Sequence, residues 1–202
     1  MAWSGYLKYS RVLSNNTQGG TCTTGAWRTY PINTEDEDAG GYGSLSADEI
    51  TLAAGTYKVR ITACICIDQP YYYLRLRLYN VTDGAVSIMG SSLFGSSSCS
   101  FPIEGVIVLA ASKTLRVEYN TGDTTETYGL GKASNFGNDE VYLVAEFWKD
   151  LPPSEYAALK RYTGAAWTKA PMQACADGAT FEDKPLKWWN SEQWIVVDTT
   201  GA

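Results

Sequence analysis

Two cysteines one residue apart close the stretch ITLAAGTYKVRITACICI, Ile50 to Ile67, and a Cys-x-Cys spacing can serve a metal site, a redox site or neither. The chain holds five cysteines in all: Cys22, Cys64, Cys66, Cys99 and Cys175. An odd number, with no export signal at the start MAWSGYLKYSR, favours free thiols over an internal disulfide framework. On an extended strand, residues i and i+2 stand nearly 7 Å apart, beyond the usual Cα range for a disulfide of about 4.4 to 6.8 Å. Cys64 and Cys66 are therefore not expected to bridge one another. Zinc would need four ligands, and this pair would have to recruit Cys22, Cys99 or carboxylates.

The 202 residues include no histidine. That removes Ser-His-Asp and Cys-His nucleophile systems, histidine metal ligands and the side chain that most readily titrates near neutrality. Paired carboxylates could still do acid and base chemistry, but no pair can be named from one sequence. No enzyme activity and no cofactor are expected. The acidic run TEDEDAGG, residues 34 to 41, offers Asp36 and Asp38 as calcium candidates in a loop; it lacks the EF-hand spacing, and a solvated loop is the competing reading. Trp167, Trp188, Trp189 and Trp194 cluster in the last fifty residues. They could stack on sugar rings, or they could fill or dock a small module.

Net charge and hydropathy narrow the partners. With 16 Lys+Arg against 22 Asp+Glu the net charge is -6, so a phosphate backbone would be repelled and nucleic acid is not an expected partner. No window approaches the roughly 18 apolar residues of a membrane span, so no membrane insertion is expected.

The elements that would position these residues are strands. In TYKVRITACICI, the residues Tyr57, Val59, Ile61, Ala63, Ile65 and Ile67 alternate with Lys58, Arg60, Thr62, Cys64 and Cys66, which predicts a core face and an opposite face bearing both thiols. In YLRLRLYNVTDG, Leu74, Leu76 and Leu78 oppose Arg75, Arg77 and Tyr79, and the two arginines are expected to be solvated. GVIVLA (105 to 110) and VYLVAEFW (141 to 148) are apolar on both faces, so something must cover each of their sides. Counting Tyr6 to Arg11, Trp27 to Asn33, Thr56 to Ile67, Tyr71 to Asn80, Ala85 to Gly90, Ile103 to Leu109, Lys113 to Asn120 and Glu140 to Lys149 gives eight strands separated by Gly-rich turns. This pattern predicts an all-β protein, a jelly-roll β-sandwich over residues 1–150, with an immunoglobulin-like sandwich as the alternative.

The pair Pro152-Pro153 marks a boundary, because proline neither continues a central strand nor permits a helical residue before it. Beyond it, LKRYTGAAWTKAP from Leu159 recurs as LKWWNSEQWIVVD from Leu186, which predicts a C-terminal module, residues 151–202, of two β-hairpin repeats. A short helix from Ser154 to Lys160, capped by Ser154, competes with the first hairpin.

The ordered set AAGTYKVRITA, LRLRLYNVTDG, SFPIEGVIVLAASKTLRVEY and GNDEVYLVAEFWK resembles the jelly-roll domain of tumour necrosis factor and the globular head of the first complement component. GAWRTYPINTE, LAAGTY, RLYNVTD and GLGKASNFGNDEVY are together similar to the version of that domain in tailed-phage virion proteins, over about residues 20 to 150. The resemblance implies a homotrimer in which the sheet holding the Gly-x-Tyr strand and the last strand packs around the threefold axis. Tyr142, Val144 and Trp148 would then lie between subunits, as would Cys64 and Cys66, with an intersubunit disulfide as a further expectation. It also implies a structural or adhesive virion protein, such as a fibre, collar or head-decoration protein. Such a protein would sit on the virion surface after assembly in the host cytoplasm, contacting other virion proteins and host-surface glycans. A carbohydrate-binding module acting alone is the second reading.

Overall fold

The computed structural model describes residues 3–67, 72–95 and 99–151, together with strand residues 160–162, 167–169, 186–189 and 194–197. The chain divides into two compact units, Met1–Pro152 and Pro153–Ala202.

Among its described residues, the first unit holds twelve strands: β1 Trp3–Leu13, β2 Arg28–Thr29, β3 Thr34–Asp38, β4 Gly43–Ser46, β5 Glu49–Leu52, β6 Gly55–Ile65, β7 Tyr72–Asn80, β8 Ala85–Met89, β9 Leu93–Gly95, β10 Cys99–Leu109, β11 Lys113–Thr121 and β12 Glu140–Asp150. One sheet runs β10-β6-β12-β1-β3 and the other β4-β5-β11-β7-β8, with β2 added on β11 and β9 on β7. From β5 onward the chain crosses repeatedly between the two sheets, and every pairing is antiparallel. This is the jelly-roll β-sandwich expected from the strand pattern.

Alternation builds the core. The strand GTYKVRITACI turns Tyr57, Val59, Ile61, Ala63 and Ile65 inward, all fully buried, while Lys58 and Arg60 stay exposed. Leu143, Ala145 and Phe147 of β12 and Leu7 and Tyr9 of β1 extend the same inner layer, with Tyr9 edge-on to Phe147 at 6.1 Å. Facing them are Ile50, Leu52, Leu74, Leu76, Leu78, Leu115 and Val117 of the second sheet. Each such side chain contributes about 1.5 to 3 kcal/mol on full burial.

Strands β3, β4, β5 and β9 have no counterpart among the eight read from the sequence. The clearest correction is β3, TEDED, expected as an acidic loop. It is an edge strand, hydrogen-bonded to β1 with a bulge at Asp36. An edge strand with one buried neighbour needs no apolar alternation, and acidic residues there discourage pairing with another chain.

One end of the sandwich is closed by two loops, 14–33 and 122–139. Cys22 and Thr125 exchange backbone hydrogen bonds of 3.0 and 3.1 Å, the Gly19 N–H donates to the Gly131 carbonyl at 2.8 Å, and the Leu130 N–H donates to the Gly20 carbonyl at 2.9 Å. The Glu140 carboxylate pins the second loop, accepting from the backbone N–H groups of Asn135 (3.0 Å), Ser134 (2.9 Å) and Asn16 (3.4 Å). Those bonds, led by Asn135 and Ser134, hold its carboxyl below the ordinary value. The segment GLGKASNFGNDEVY is thus a loop folded around one carboxylate at the mouth of β12.

In the second unit, β13 Lys160–Tyr162 pairs with β14 Trp167–Lys169, and β15 Leu186–Trp189 pairs with β16 Trp194–Val197. These antiparallel pairs form a small β-hairpin module at the two positions of the sequence repeat. The competing helix from Ser154 lies, apart from Lys160, outside the described residues.

Candidate functional site

The outer face of the β10-β6-β12-β1-β3 sheet is where the family resemblance puts the expected interface. Register sorts its residues into rows running across the strands. In the central row Glu37, Lys8, Glu146, Arg60 and Glu104 stand side by side, alternating in charge from β3 to β10. Lys8 Nζ lies 3.8 Å from Asp36 Oδ2, and Arg60 Nε lies 3.4 Å from Glu104 Oε1. Both pairs are exposed enough that each is worth well under about 1 kcal/mol.

The row below is aromatic and aliphatic: Tyr6, Trp148, Lys58 and Val106. The Tyr6 and Trp148 rings are 5.5 Å apart, and Lys58 Nζ lies 5.6 Å from the Trp148 ring. The Tyr6 hydroxyl donates to Glu146 Oε1 at 2.9 Å, linking this row to the charged one. Burial first, then that bond and the charges of Glu146, Asp36 and Glu37, push the Tyr6 hydroxyl up to about 12, so it remains a donor across the neutral range. The row above is small and uncharged: Thr34, Ser10, Val144, Thr62 and Pro102. At the β10 edge Val106 is 56% and Val108 75% exposed, so the second face of this apolar strand is uncovered.

The expected interface residues separate on this surface. Val144 and Trp148 are half-buried on the outer face, and Cys64 is half-buried near its end. Tyr142 is 4% exposed, covered by its own chain. Its hydroxyl donates to the Thr17 carbonyl at 2.7 Å, and its ring sits where a side chain on Gly131 would be, 2.0 Å from an added Cβ. It cannot offer a free surface to a neighbour.

Cys66 departs from its expected place for a related reason. Strand β6 ends at Ile65, the Cys66 N–H donates to the Gly129 carbonyl at 2.9 Å, and the residue is 5% exposed beneath the closing loop. Alternation stops with the ladder, so it no longer assigns a face. Burial pushes the neighbouring Cys22 thiol up, away from the thiolate that reacts or binds metal. Among the described residues, no three histidine, cysteine or acidic residues are grouped to hold a metal.

Asp36 and Asp38, the calcium candidates, do not converge. Asp36 faces Lys8, whereas Asp38 accepts from the N–H groups of Tyr42 (3.0 Å) and Gly43 (2.7 Å) and so shapes the turn into β4. For Trp167, Trp188, Trp189 and Trp194 the backbone pairing places Trp189 opposite Trp194 and Trp167 opposite Tyr162. Their side chains lie outside the described residues.

The outer face of the other sheet is organised differently. Glu118, 2% exposed, accepts from Arg77 Nε at 2.6 Å and from Arg116 Nε and Nη2 at 2.9 and 2.6 Å, while Arg116 Nη1 also reaches Glu49 at 3.3 Å. The Arg77 guanidinium lies 4.2 Å from the Trp27 ring and 4.7 Å from that of Tyr79. Arg77 is therefore not solvated, and Arg75 donates from Nε to the Gly90 carbonyl at 2.7 Å. Periodicity located both on the outer face but could not show that Trp27 and Glu118 close on Arg77 or that Arg75 reaches the Gly90 carbonyl.

No family model and no curated protein matches the chain. Among solved structures, that of murine APRIL at pH 8.5 is similar over 71% of this chain and 97% of its own, at 10% identity and a TM-score of 0.44. The globular domain of zebrafish complement 1qA protein is similar over 73% of this chain and 98% of its own, at 16% identity and a TM-score of 0.41. The jelly-roll assignment rests on the strand order itself, and that fold is compatible with a structural or binding role.

Proposed function

We propose that this protein is a structural or adhesive component of a tailed-phage particle, a homotrimer built around the outer face of the β10-β6-β12-β1-β3 sheet. The observation that carries the assembly is the uncovered apolar surface of that face, where Val106, Val108, Val144 and Trp148 lie beside a row of alternating charge. Exposed apolar groups rimmed by charges suit a protein interface. Copies would meet through the face, not by adding strands at the sheet edges. The β3 edge carries Glu35, Asp36 and Glu37, and the β10 edge carries Glu104 and Pro102, so edge-to-edge pairing is opposed by like charge and a missing donor.

The sequence resemblance supplies the threefold symmetry and the phage setting, with the sheet of β6 and β12 at the axis. Val144 and Trp148 belong to the interface in this reading and Tyr142 does not. Of Cys64 and Cys66, Cys64 is the one placed for an intersubunit disulfide, since Cys66 is enclosed by its own loop. The hairpin module anchors or extends the head, and the particle surface is its location. Dock points for other virion proteins fall on that module.

Multi-angle light scattering at micromolar concentration tests the assembly: the mass expected is three times that of the chain, and a monomer overturns it. Val108→Asp, at an exposed edge position, is expected to give a folded monomer. Mass spectrometry of purified particles of the phage carrying this chain tests the setting, and absence of the chain from them overturns it.

A further inference from the structure

Beside the closed Arg77–Glu118–Arg116 network, the same outer face ends in groups that have no such partners. Arg75 and Asn120 stand directly opposite each other on β7 and β11. One step further along, the Gly122 N–H donates to the Tyr73 carbonyl at 2.8 Å, so the position across from Tyr73 has no side chain. Tyr73, Arg75, Ser92, Asn120 and Gly122 line a cleft of about 210 Å³. The Tyr73 ring is 69% exposed and is backed by Phe94, 58% exposed, at 5.0 Å between centroids.

Among the described residues, part of the polar lining of this cleft is uncommitted. Arg75 gives Nε to the Gly90 carbonyl, which fixes the plane of its guanidinium, and Nη1 and Nη2 have no acceptor among the described residues. No carboxylate pairs with it there, although Arg77 and Arg116 on the same face are both ion-paired. The side-chain amide of Asn120 likewise has no hydrogen-bond partner among the described residues.

We propose that this cleft binds a carboxylate-bearing pyranose, a uronic or nonulosonic acid sugar. A pyranose has an apolar C–H face and an equatorial rim of hydroxyls, so it calls for one exposed ring and adjacent polar groups. Tyr73 supplies the ring, with Gly122 leaving room for the sugar to approach the backbone. Asn120 offers both a donor and an acceptor to vicinal hydroxyls. The fork of Arg75 Nη1 and Nη2 fits a carboxylate in two parallel hydrogen bonds. An acidic ligand is the one this fork selects, since among the described residues no carboxylate occupies it.

The site does not rest on the phage setting or on the trimer. It lies on the sheet opposite the proposed interface, so assembly would leave it open and repeat it three times, raising avidity for a surface that displays such sugars.

Saturation-transfer NMR and calorimetric titration of the full chain with free glucuronic acid and N-acetylneuraminic acid, against glucose and galactose, test the proposal. Saturable binding of at least one acidic sugar is expected, with the neutral sugars about tenfold or more weaker. Tyr73→Ala and Arg75→Lys should each weaken it by about tenfold, the second because lysine keeps the charge but loses the fork. Circular dichroism checks that the variants fold, and Asn120→Ala provides a further position if Arg75→Lys does not. Absence of binding at millimolar sugar, equal binding of glucose, or acidic-sugar binding that Tyr73→Ala and Asn120→Ala leave unchanged overturns it. A monomer that still binds the sugar would overturn the trimer alone.

Discussion

The outer faces of the two sheets are built from the same kinds of residue, arginine or lysine, glutamate and aromatic rings, and differ in where those residues find partners. On the β7–β11 face, Glu118 is enclosed by two guanidiniums and an aromatic lid from Trp27 and Tyr79. On the β6–β12 face, Glu146 has a tyrosine hydroxyl and two cations in register but remains half-open, and valines stand out at the edge. Around Glu118 the first face is finished within one chain. The second, in the assembly proposed above, would take its remaining partners from another copy. Depth makes the difference: a charge nearly out of water requires its full set of partners locally, whereas a half-exposed one can wait for them.

The largest effect that would sharpen this contrast comes from removing the enclosed carboxylate. Glu118→Ala leaves Arg77 and Arg116 facing each other across an empty acceptor and should cost about 3 kcal/mol, read by urea denaturation. The matching change on the other face, Glu146→Ala, should cost under about 1 kcal/mol in the monomer; an equal loss at both sites would break the comparison. If the proposed trimer forms, Trp148→Ala should act chiefly on assembly, weakening it by about 2 kcal/mol per interface in sedimentation experiments. Tyr142→Phe removes only the hydroxyl bond to Thr17 and should cost about 1 kcal/mol of stability with no effect on assembly, since that ring belongs to its own chain.

The smallest effect is alkaline. Tyr6, Tyr57 and Tyr142 are each pushed up to about 12 in the folded protein, first of all by burial, against about 10 when unfolded. The unfolded chain therefore releases these protons first, so the stability they contribute is complete below pH 10 and falls as the pH rises towards 12. Tyr6→Phe should flatten part of that fall in a pH series of thermal melts, and an unchanged slope would show that neither burial nor the Glu146 bond holds the Tyr6 hydroxyl up.

Much of the scaffold was legible in the sequence because long central strands impose a period of two on burial. Tyr57 to Ile65 and Leu74 to Leu78 were read on the correct faces for that reason, whereas β12, apolar on both faces, gave the period no face to choose. The short strands β4, β5 and β9 were missed because three or four residues carry too few alternations, and β3 because an edge strand need not be apolar. At the candidate site, the outward placement of Lys58 and Arg60 followed from the same period, whereas that of Val144 and Trp148 came from the family resemblance. Asp36 and Asp38 could not be separated in the sequence, since a bulge and a turn decide which neighbour each meets.

The chain by itself determined that it would be an all-β protein, without histidine-based chemistry, whose central strands had one face too many for a single core. Those are properties of composition and local periodicity, which need no knowledge of distant partners. Only the tertiary structure decided that Cys66 and Tyr142 lie beneath a loop, that Arg77 is locked to Glu118 and that Arg75 is left over beside Tyr73. Each depends on which strand, far away in the chain, lies alongside or which loop folds over, and register across a sheet is set by the whole sandwich closing on its core.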